Sequence, residues 1–202
     1  MNEFKTKNFT VIRKATSLEM TDFIYNYISL KRKIAGYLFD NKLISPFTKH
    51  FGHWNDQQVM NTYSIYGDTV METLLIKLKP LMEKSVEEKL IEMYSYCRIY
   101  KENDVLNRHS DRQSCEISTT LNLGGDHWPI FLEPSGEKGK KGIEIILEQG
   151  DMLIYKGCLL EHWREPFQGK DCAQVFLHYN IDSEETRKNK YDNRQFIGVT
   201  QK

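Results

Sequence analysis

The sequence predicts a mainly β fold with a helical amino-terminal part, an α+β protein in which a small antiparallel barrel or sandwich is buttressed by helices. Apolar residues recur at helical spacing early in the 202-residue chain, whereas from about residue 91 short runs rich in β-branched and aromatic residues follow one another. No helical pattern separates those runs, so we expect antiparallel pairing rather than a doubly wound parallel sheet.

The composition bounds the class of protein. Forty per cent of the residues are apolar and 12% are aromatic, enough for the core of a single domain spanning 1–202. Lys plus Arg and Asp plus Glu both number 28, so the formal net charge is zero and no nucleic-acid partner is expected. Within the domain we expect a helical support over 1–89, a β-rich core over 90–182 and a charge-rich, solvated tail over 183–202.

Two helices are predicted in the support. Apolar residues recur every three or four positions over 17–41, and Ser17 stands at the expected amino terminus of that helix. The same periodicity appears over 68–84, where Pro80 is expected to end or kink the helix. The segment 45–61 between them is predicted to be a loop with aromatic anchors.

The predicted strands all lie in the second half of the chain. A Glu-Gln-Gly-Asp turn divides the segment 143–157 into two strands, and a Gly- and Lys-rich loop precedes that segment. The segments are 91–104, 114–124, 128–133, 143–157 and 172–181.

Nothing in the sequence predicts a membrane partner or secretion. No stretch approaches the ~20 consecutive apolar residues of a membrane span, and the first residues lack the apolar centre of a signal peptide. We therefore expect a soluble, cytoplasmic protein. The four cysteines form no Cys-x-x-Cys pair and are expected to be reduced and mostly buried.

A candidate metal site begins at His109 and Asp111, which precede a predicted strand. Side chains two positions apart in an extended segment project to the same side, so both can meet one ion. His162 can supply a third ligand if neighbouring strands bring its loop back over this pair, and His178 is its rival. Two histidines and one carboxylate leave the opposite side of the ion open, as in the facial triad of non-haem Fe(II) oxygenases.

Three segments in this order carry a family resemblance: YKENDVLNRHSDR, then EQGDMLIYKG, then EHWREPFQGKD. Together they resemble the Fe(II)/2-oxoglutarate-dependent dioxygenases, specifically their prolyl 4-hydroxylase-like branch. The resemblance covers about residues 90–181 and does not extend to 1–65. It implies a double-stranded β-helix (jelly-roll) fold, with metal ligands at His109, Asp111 and His162.

The resemblance also implies a basic residue for the distal carboxylate of 2-oxoglutarate, since a buried carboxylate without a partner is costly. In this branch that residue follows the second histidine by about nine or ten positions, at the start of the last strand. Lys170 stands at a slightly shorter spacing, and Arg164 and Arg98 are the alternatives. Tyr100 resembles the tyrosine whose hydroxyl helps to hold this co-substrate.

The activity implied by the resemblance is hydroxylation of an unactivated C–H bond with Fe(II), 2-oxoglutarate and O2, releasing succinate and CO2. Its substrate is an amino acid or a peptidyl residue, with proline among the candidates. The alternatives are a non-catalytic, cupin-like metal or ligand sensor, and a structural jelly roll in which the three ligands do not meet.

Overall fold

The computed structural model of the chain describes residues 2–200. Within these residues there are ten strands, four α-helices and two short 3-10 turns, at Gln113–Cys115 and Lys190–Asn193. The helices are α1 (Glu3–Lys7), α2 (Leu18–Asp40), α3 (Thr69–Val86) and α4 (Glu184–Lys188), and the strands are β1 (Phe9–Ile12), β2 (Tyr63–Tyr66), β3 (Leu90–Lys101), β4 (Leu106–His109), β5 (Ile117–Gly125), β6 (Ile130–Leu132), β7 (Ile143–Ile145), β8 (Met152–Lys156), β9 (His162–Arg164) and β10 (Asp171–Ile181).

The strands form two antiparallel sheets, which confirms the predicted jelly roll. The larger sheet has the order β1-β8-β5-β10-β3-β2 and the smaller one the order β4-β9-β6-β7. Ile130 and Leu132 of the smaller sheet pack in one apolar cluster with Leu153 and Tyr155 of the larger sheet. The two sheets therefore lie face to face, without closing into a continuous barrel.

Two long helices cover the outer side of the larger sheet, as predicted. Ser17 caps α2 by accepting a hydrogen bond from the Met20 amide, and Asp68 caps α3 in the same way. Apolar side chains of both helices, such as Ile28 and Leu75, share one core with strand residues such as Val175. This packing leaves the opposite side of the sheet for the functional site.

Of the two effects predicted for Pro80, an end of the helix is wrong, since α3 continues to Val86. Pro80 itself is exposed, whereas Leu78 and Met82 on either side of it are buried. Burial of that apolar side holds the helix together past the proline, so tertiary packing overrides the local preference.

The amino-terminal part contains two strands in addition to helices. β1 pairs with β8, with Phe9 opposite Tyr155, and β2 pairs with β3, with Tyr63 opposite Ile99. These two four-residue strands form the two edges of the larger sheet. The segment 1–89 therefore completes the sheet as well as supporting it.

The prediction of a solvated tail fails at two residues, Asp192 and Arg194. Arg194 is buried, and its Nη2 donates to Glu72 Oε1 at 2.6 Å and to the Met93 carbonyl at 3.0 Å. Asp192 is the partner of Arg112, with oxygen–nitrogen distances of 2.8 and 2.6 Å. Two charges of the tail, those of Asp192 and Arg194, are thus paired with the body of the protein rather than left in water.

Within residues 2–200, no helix has the length and apolarity needed to cross a bilayer.

Candidate metal centre

The three predicted ligands meet in the cavity between the sheets. His109 ends β4 and His162 begins β9, and these two residues are register partners in the antiparallel β4–β9 pair. Their imidazole centroids lie 4.3 Å apart. Asp111 follows two residues after His109, and its Oδ1 lies 3.8 Å from His109 Nε2 and 3.5 Å from His162 Nε2. Potential ligand atoms of all three lie within 4.8 Å of one another.

Backbone carbonyls orient both imidazole rings. His109 Nδ1 lies 2.7 Å from the Asn107 carbonyl oxygen, and His162 Nδ1 lies 3.1 Å from that of Leu160. Each Nδ1 therefore carries the proton, which leaves a lone pair on the Nε2 atom of each ring, the nitrogen nearer to Asp111. Burial, together with the neighbouring His162, lowers the pKa of His109 and favours the neutral form that a metal needs.

Asp111 is held as an ionised carboxylate. Burial alone would raise the pKa of Asp111, but the adjacent His162 and the hydroxyl of Ser118 outweigh it and lower the pKa well below its ordinary value. The backbone amide of Asp111 also donates to the carbonyl of Gly157 at 2.8 Å. Two neutral imidazole nitrogens and one carboxylate oxygen fit a divalent transition metal of the Fe(II) type.

His178, the rival for the third ligand position, belongs to a different group of side chains. It is buried in β10 and groups with Asp111 and Cys115 rather than with the other two histidines. Its Nδ1 lies 3.0 Å from Ser118 Oγ. The structure therefore brings His162 into the triad and leaves His178 beside it.

Arg164 is a buried cation with unused donors. It is 1% exposed and stands two residues after His162 in β9. Its Nη1 donates to the Trp128 carbonyl, and within residues 2–200 no hydrogen-bond partner is found for Nε or Nη2. Burial lowers the pKa of Arg164 by penalising the charged form. A buried guanidinium with two free donors is suited to binding a carboxylate in the bidentate manner.

The other proposed co-substrate residues are placed differently. Lys170 is exposed and precedes β10, and the structure does not direct it into the cavity as the sequence spacing predicted. Arg98 is buried, but it is already paired with Asp56 at 2.7 Å. Tyr100 is fully buried, packs 4.7 Å from the Trp128 ring and accepts from Arg98 at 3.1 Å. Arg164 packs on the same tryptophan, with its guanidinium 5.0 Å from the ring centroid.

The triad opens into a cavity of about 310 Å3. Residues of the amino-terminal segment 55–60 form part of its wall, and Gln58 Nε2 lies 2.7 Å from His109 Nε2. Charged groups on the walls are paired: Asp56 with Arg98, and Arg112 with Asp192. No sequence pattern indicates a role for Gln58, whereas the alternating polar positions of β5 that include Ser118 could have indicated a side of the strand facing the cavity.

No protein-family model and no curated protein matches the sequence. Solved structures match over most of the chain. A prolyl-4-hydroxylase from Pseudomonas putida has a TM-score of 0.65 at 10% identity, covering 90% of this chain and 96% of its own. The viral collagen prolyl hydroxylase of Paramecium bursaria Chlorella virus-1, in complex with 2-oxoglutarate, has a TM-score of 0.57 at 12% identity and covers 89% and 99%.

The chain has the fold of the 2-oxoglutarate- and Fe(II)-dependent oxygenases.

A third structure with this oxygenase fold is HygX from Streptomyces hygroscopicus, solved with nickel, 2-oxoglutarate and hygromycin B. It has a TM-score of 0.63 at 12% identity and covers 88% of this chain and 84% of its own. At such identities the similarity establishes the oxygenase fold alone. In that fold, β3 to β10 are the eight strands of the jelly roll, and β1 and β2 are added at its edges.

Proposed function

We propose that the protein is an Fe(II)/2-oxoglutarate-dependent dioxygenase that hydroxylates an unactivated C–H bond of an amino acid or peptidyl residue, releasing succinate and CO2. One observation carries the proposal: His162, one member of a two-histidine, one-carboxylate triad, lies on the same strand, β9, as a buried arginine with two unused donors. A sensor of a metal alone would have no use for that second, anion-binding group.

His109, Asp111 and His162 would hold Fe(II) on one side and leave its other side to the cavity. When bound there with 2-oxoglutarate and O2, the iron supplies the oxidising chemistry that breaks the C–H bond. The chain itself orients the ligands through the backbone carbonyls of Asn107 and Leu160. Its aromatic walls, such as Tyr155 and Phe176, limit the water around the reacting carbon.

The Arg164 guanidinium would bind the distal carboxylate of 2-oxoglutarate by donating hydrogen bonds to it. Nε and Nη2 are adjacent donors in a fixed plane, which matches the geometry of a carboxylate. Tyr100 shares the apolar surroundings of Trp128 and offers a hydroxyl in the same region. Lys170, which is exposed, is left without a role in this proposal.

The charge distribution of the cavity favours a peptidyl residue over a free amino acid. A free amino acid brings an ammonium and a carboxylate, each of which needs an opposite charge once it is out of water. On the walls outside the triad, Asp56 is committed to Arg98, and Arg112 is committed to Asp192. A residue inside a peptide brings no such charges. The prolyl hydroxylases of the same fold support this preference by analogy.

Anaerobic addition of Fe(II) and 2-oxoglutarate tests the proposed chemistry. We expect a weak visible charge-transfer absorption from the chelate, lost in His162→Ala. With O2 present, peptides blocked at both termini should then stimulate succinate release more than free amino acids do. Absence of the absorption in the wild-type protein would overturn the proposal.

Arg164→Met tests the role assigned to the buried cation. Replacing two charge-assisted hydrogen bonds with an apolar side chain of similar length should weaken 2-oxoglutarate binding roughly 10- to 100-fold. Mn(II) affinity should be unchanged. Lys170→Met is the matched control, and we expect it to bind 2-oxoglutarate like the wild type in a calorimetric titration of the Mn(II)-loaded protein. The assignment fails if the two variants behave alike.

The four cysteines are free, and three of them are buried. Reduced thiols and an Fe(II) centre both suit a reducing compartment, so we propose a cytoplasmic location.

A further inference from the structure

One buried histidine next to the metal centre has no part in the function proposed above. His178 lies in the middle of β10, is 5% exposed and packs against the Tyr94 ring at a centroid distance of 4.4 Å. It lines the same cavity as the triad. A buried imidazole requires hydrogen-bond partners, because its polar nitrogens are costly to bury without them.

The two oxygens of Asp111 have different surroundings. Oδ1 faces the metal-binding nitrogens of both triad histidines. Oδ2 accepts a hydrogen bond from the Ser118 hydroxyl at 2.7 Å, and Ser118 Oγ lies 3.0 Å from His178 Nδ1. The three side chains therefore form a continuous line from β10 through β5 to the metal-binding loop.

The direction of these hydrogen bonds follows from counting protons. Ser118 has one hydroxyl proton and three possible acceptors in reach: Asp111 Oδ2 at 2.7 Å, His178 Nδ1 at 3.0 Å and the Cys115 carbonyl at 3.1 Å. The ionised carboxylate is the closest and strongest acceptor. The oxygen of Ser118 is then free to accept from His178, which places the histidine proton on Nδ1.

The line of side chains is rigidly supported. Ser118 and His178 are register partners in the β5–β10 pair, so their spacing is fixed by the sheet. Gly157 approaches from the other side, because a Cβ built there would lie 2.5 Å from Ser118 Oγ and 2.4 Å from Asp111 Oδ2. Any side chain at position 157 would therefore displace Ser118 or Asp111.

We propose that His178 is a positioning residue that acts through Ser118 on Asp111, keeping Oδ2 away from the metal so that the carboxylate binds through Oδ1 alone. The inference rests on the proposed function, since it concerns how that site presents its ligands. A carboxylate released from Ser118 can turn and chelate the ion with both oxygens. It would then take a coordination position that 2-oxoglutarate requires.

Four variants test this role. Ser118→Ala and His178→Leu break the line, whereas Ser118→Thr keeps the hydroxyl and His178→Asn keeps a donor close to the position of Nδ1. In the Co(II)-loaded protein under anaerobic conditions, we expect the first two to share one altered visible spectrum and to bind 2-oxoglutarate about 10-fold more weakly. The two conservative variants should keep the wild-type spectrum and affinity.

The double variant separates positioning from general disturbance. If His178 acts through Ser118, Ser118→Ala/His178→Leu should be no weaker than Ser118→Ala alone. Additive losses, or a wild-type spectrum in His178→Leu, would overturn the inference while leaving the proposed function intact. Failure of the wild-type protein to bind Co(II) and 2-oxoglutarate would instead remove the metal centre itself. Circular dichroism checks that each variant is folded.

Discussion

Gly157 shows how closely the backbone approaches Asp111, the carboxylate of the proposed metal site. A Cβ built at this position would lie 2.4 Å from Asp111 Oδ2 and 2.4 Å from the Cys115 carbonyl oxygen. The Gly157 carbonyl also accepts a hydrogen bond from the amide of Asp111, and the Gly157 amide donates one to the carbonyl of Glu116. The residue is needed for close approach, and its conformation is not in the left-handed region.

Gly157→Ala should therefore damage the site more than the fold. The added methyl group must push Asp111 or Ser118 from its position, so we expect at least about 10-fold weaker Mn(II) binding, in the range measured when residues supporting metal ligands are changed. Gly36→Ala is the matched control, because a Cβ there meets nothing within 4 Å. That variant should keep Mn(II) affinity and gain slightly in helix stability. Equal Mn(II) affinity in the two variants would contradict the close-approach argument.

Single residues also mark where sequence reasoning succeeds and where it stops. The grouping of His109 with Asp111 follows from their separation by two positions, which any extended segment places on one side. The residue proposed to bind the distal carboxylate of 2-oxoglutarate cannot be predicted from sequence spacing in this way. Lys170 was favoured by its distance along the chain from His162, whereas Arg164 is distinguished by burial and by unpaired donors, which only three-dimensional packing reveals.

At the scale of elements, two short strands, β4 and β9, hold two of the three proposed metal ligands. β4 and β9 have four and three residues and were not predicted as strands, yet their pairing places His109 opposite His162. Runs of this length contain too few alternating positions to be recognised in a sequence. The long β3 and β10, of twelve and eleven residues, were predicted because they contain runs rich in β-branched and aromatic residues.

Pro80 offers a test of how α3 is stabilised. A proline inside a helix removes one hydrogen bond and crowds the preceding turn, at a cost of about 3 kcal/mol. Pro80→Ala should recover part of this cost, offset by the greater freedom of the unfolded chain. We expect about 1–2 kcal/mol of added stability, seen as a Tm higher by several degrees in thermal unfolding. A Tm that stays equal or falls would mean that the proline adds packing that compensates for the lost hydrogen bond.

At the scale of the whole molecule, the carboxy-terminal segment joins distant parts of the fold. Arg194 reaches Glu72 at the start of α3, and Asp192 reaches Arg112 beside the metal-binding loop. Tyr191, Asp192 and Asn193 all have positive φ angles, a conformation that costs energy for such residues. These two ion pairs compensate for that strain, and composition alone could not indicate them because a charge-rich segment is usually solvated.

Asp192→Asn should weaken the docking of this segment. Arg112 would lose a bidentate charged partner, so we expect a fall of about 1 kcal/mol in the free energy of unfolding. The matched control is Asp182→Asn, which removes the exposed Asp182–Arg187 pair in the same part of the chain and should have little effect. Thermal unfolding of the three proteins at neutral pH compares them directly. Equal losses in both variants would argue against a special role for Asp192.

The same contact predicts a dependence on pH. Burial alone would raise the pKa of Asp192, but the hydrogen bonds from Arg112 and Tyr66 outweigh it and lower the pKa to about 2. A carboxyl group whose pKa is lowered in the folded state stabilises the protein at pH values above the pKa it has in the unfolded chain, ~3.9. The stability difference between wild type and Asp192→Asn should therefore be constant above pH ~4 and shrink as the pH falls toward 2. A difference that persists undiminished at low pH would contradict this reading.

The position of β1 and β2 at opposite edges of the larger sheet limits how the chain can be divided. A protein trimmed to residues 90–182 would retain every proposed metal ligand and the proposed co-substrate cation. It would also expose the bare backbone of β8 on one side and of β3 on the other, and exposed strand edges promote self-association. The amino-terminal residues thus protect both edges of the sheet, and a fragment trimmed to the extent of the sequence resemblance should aggregate.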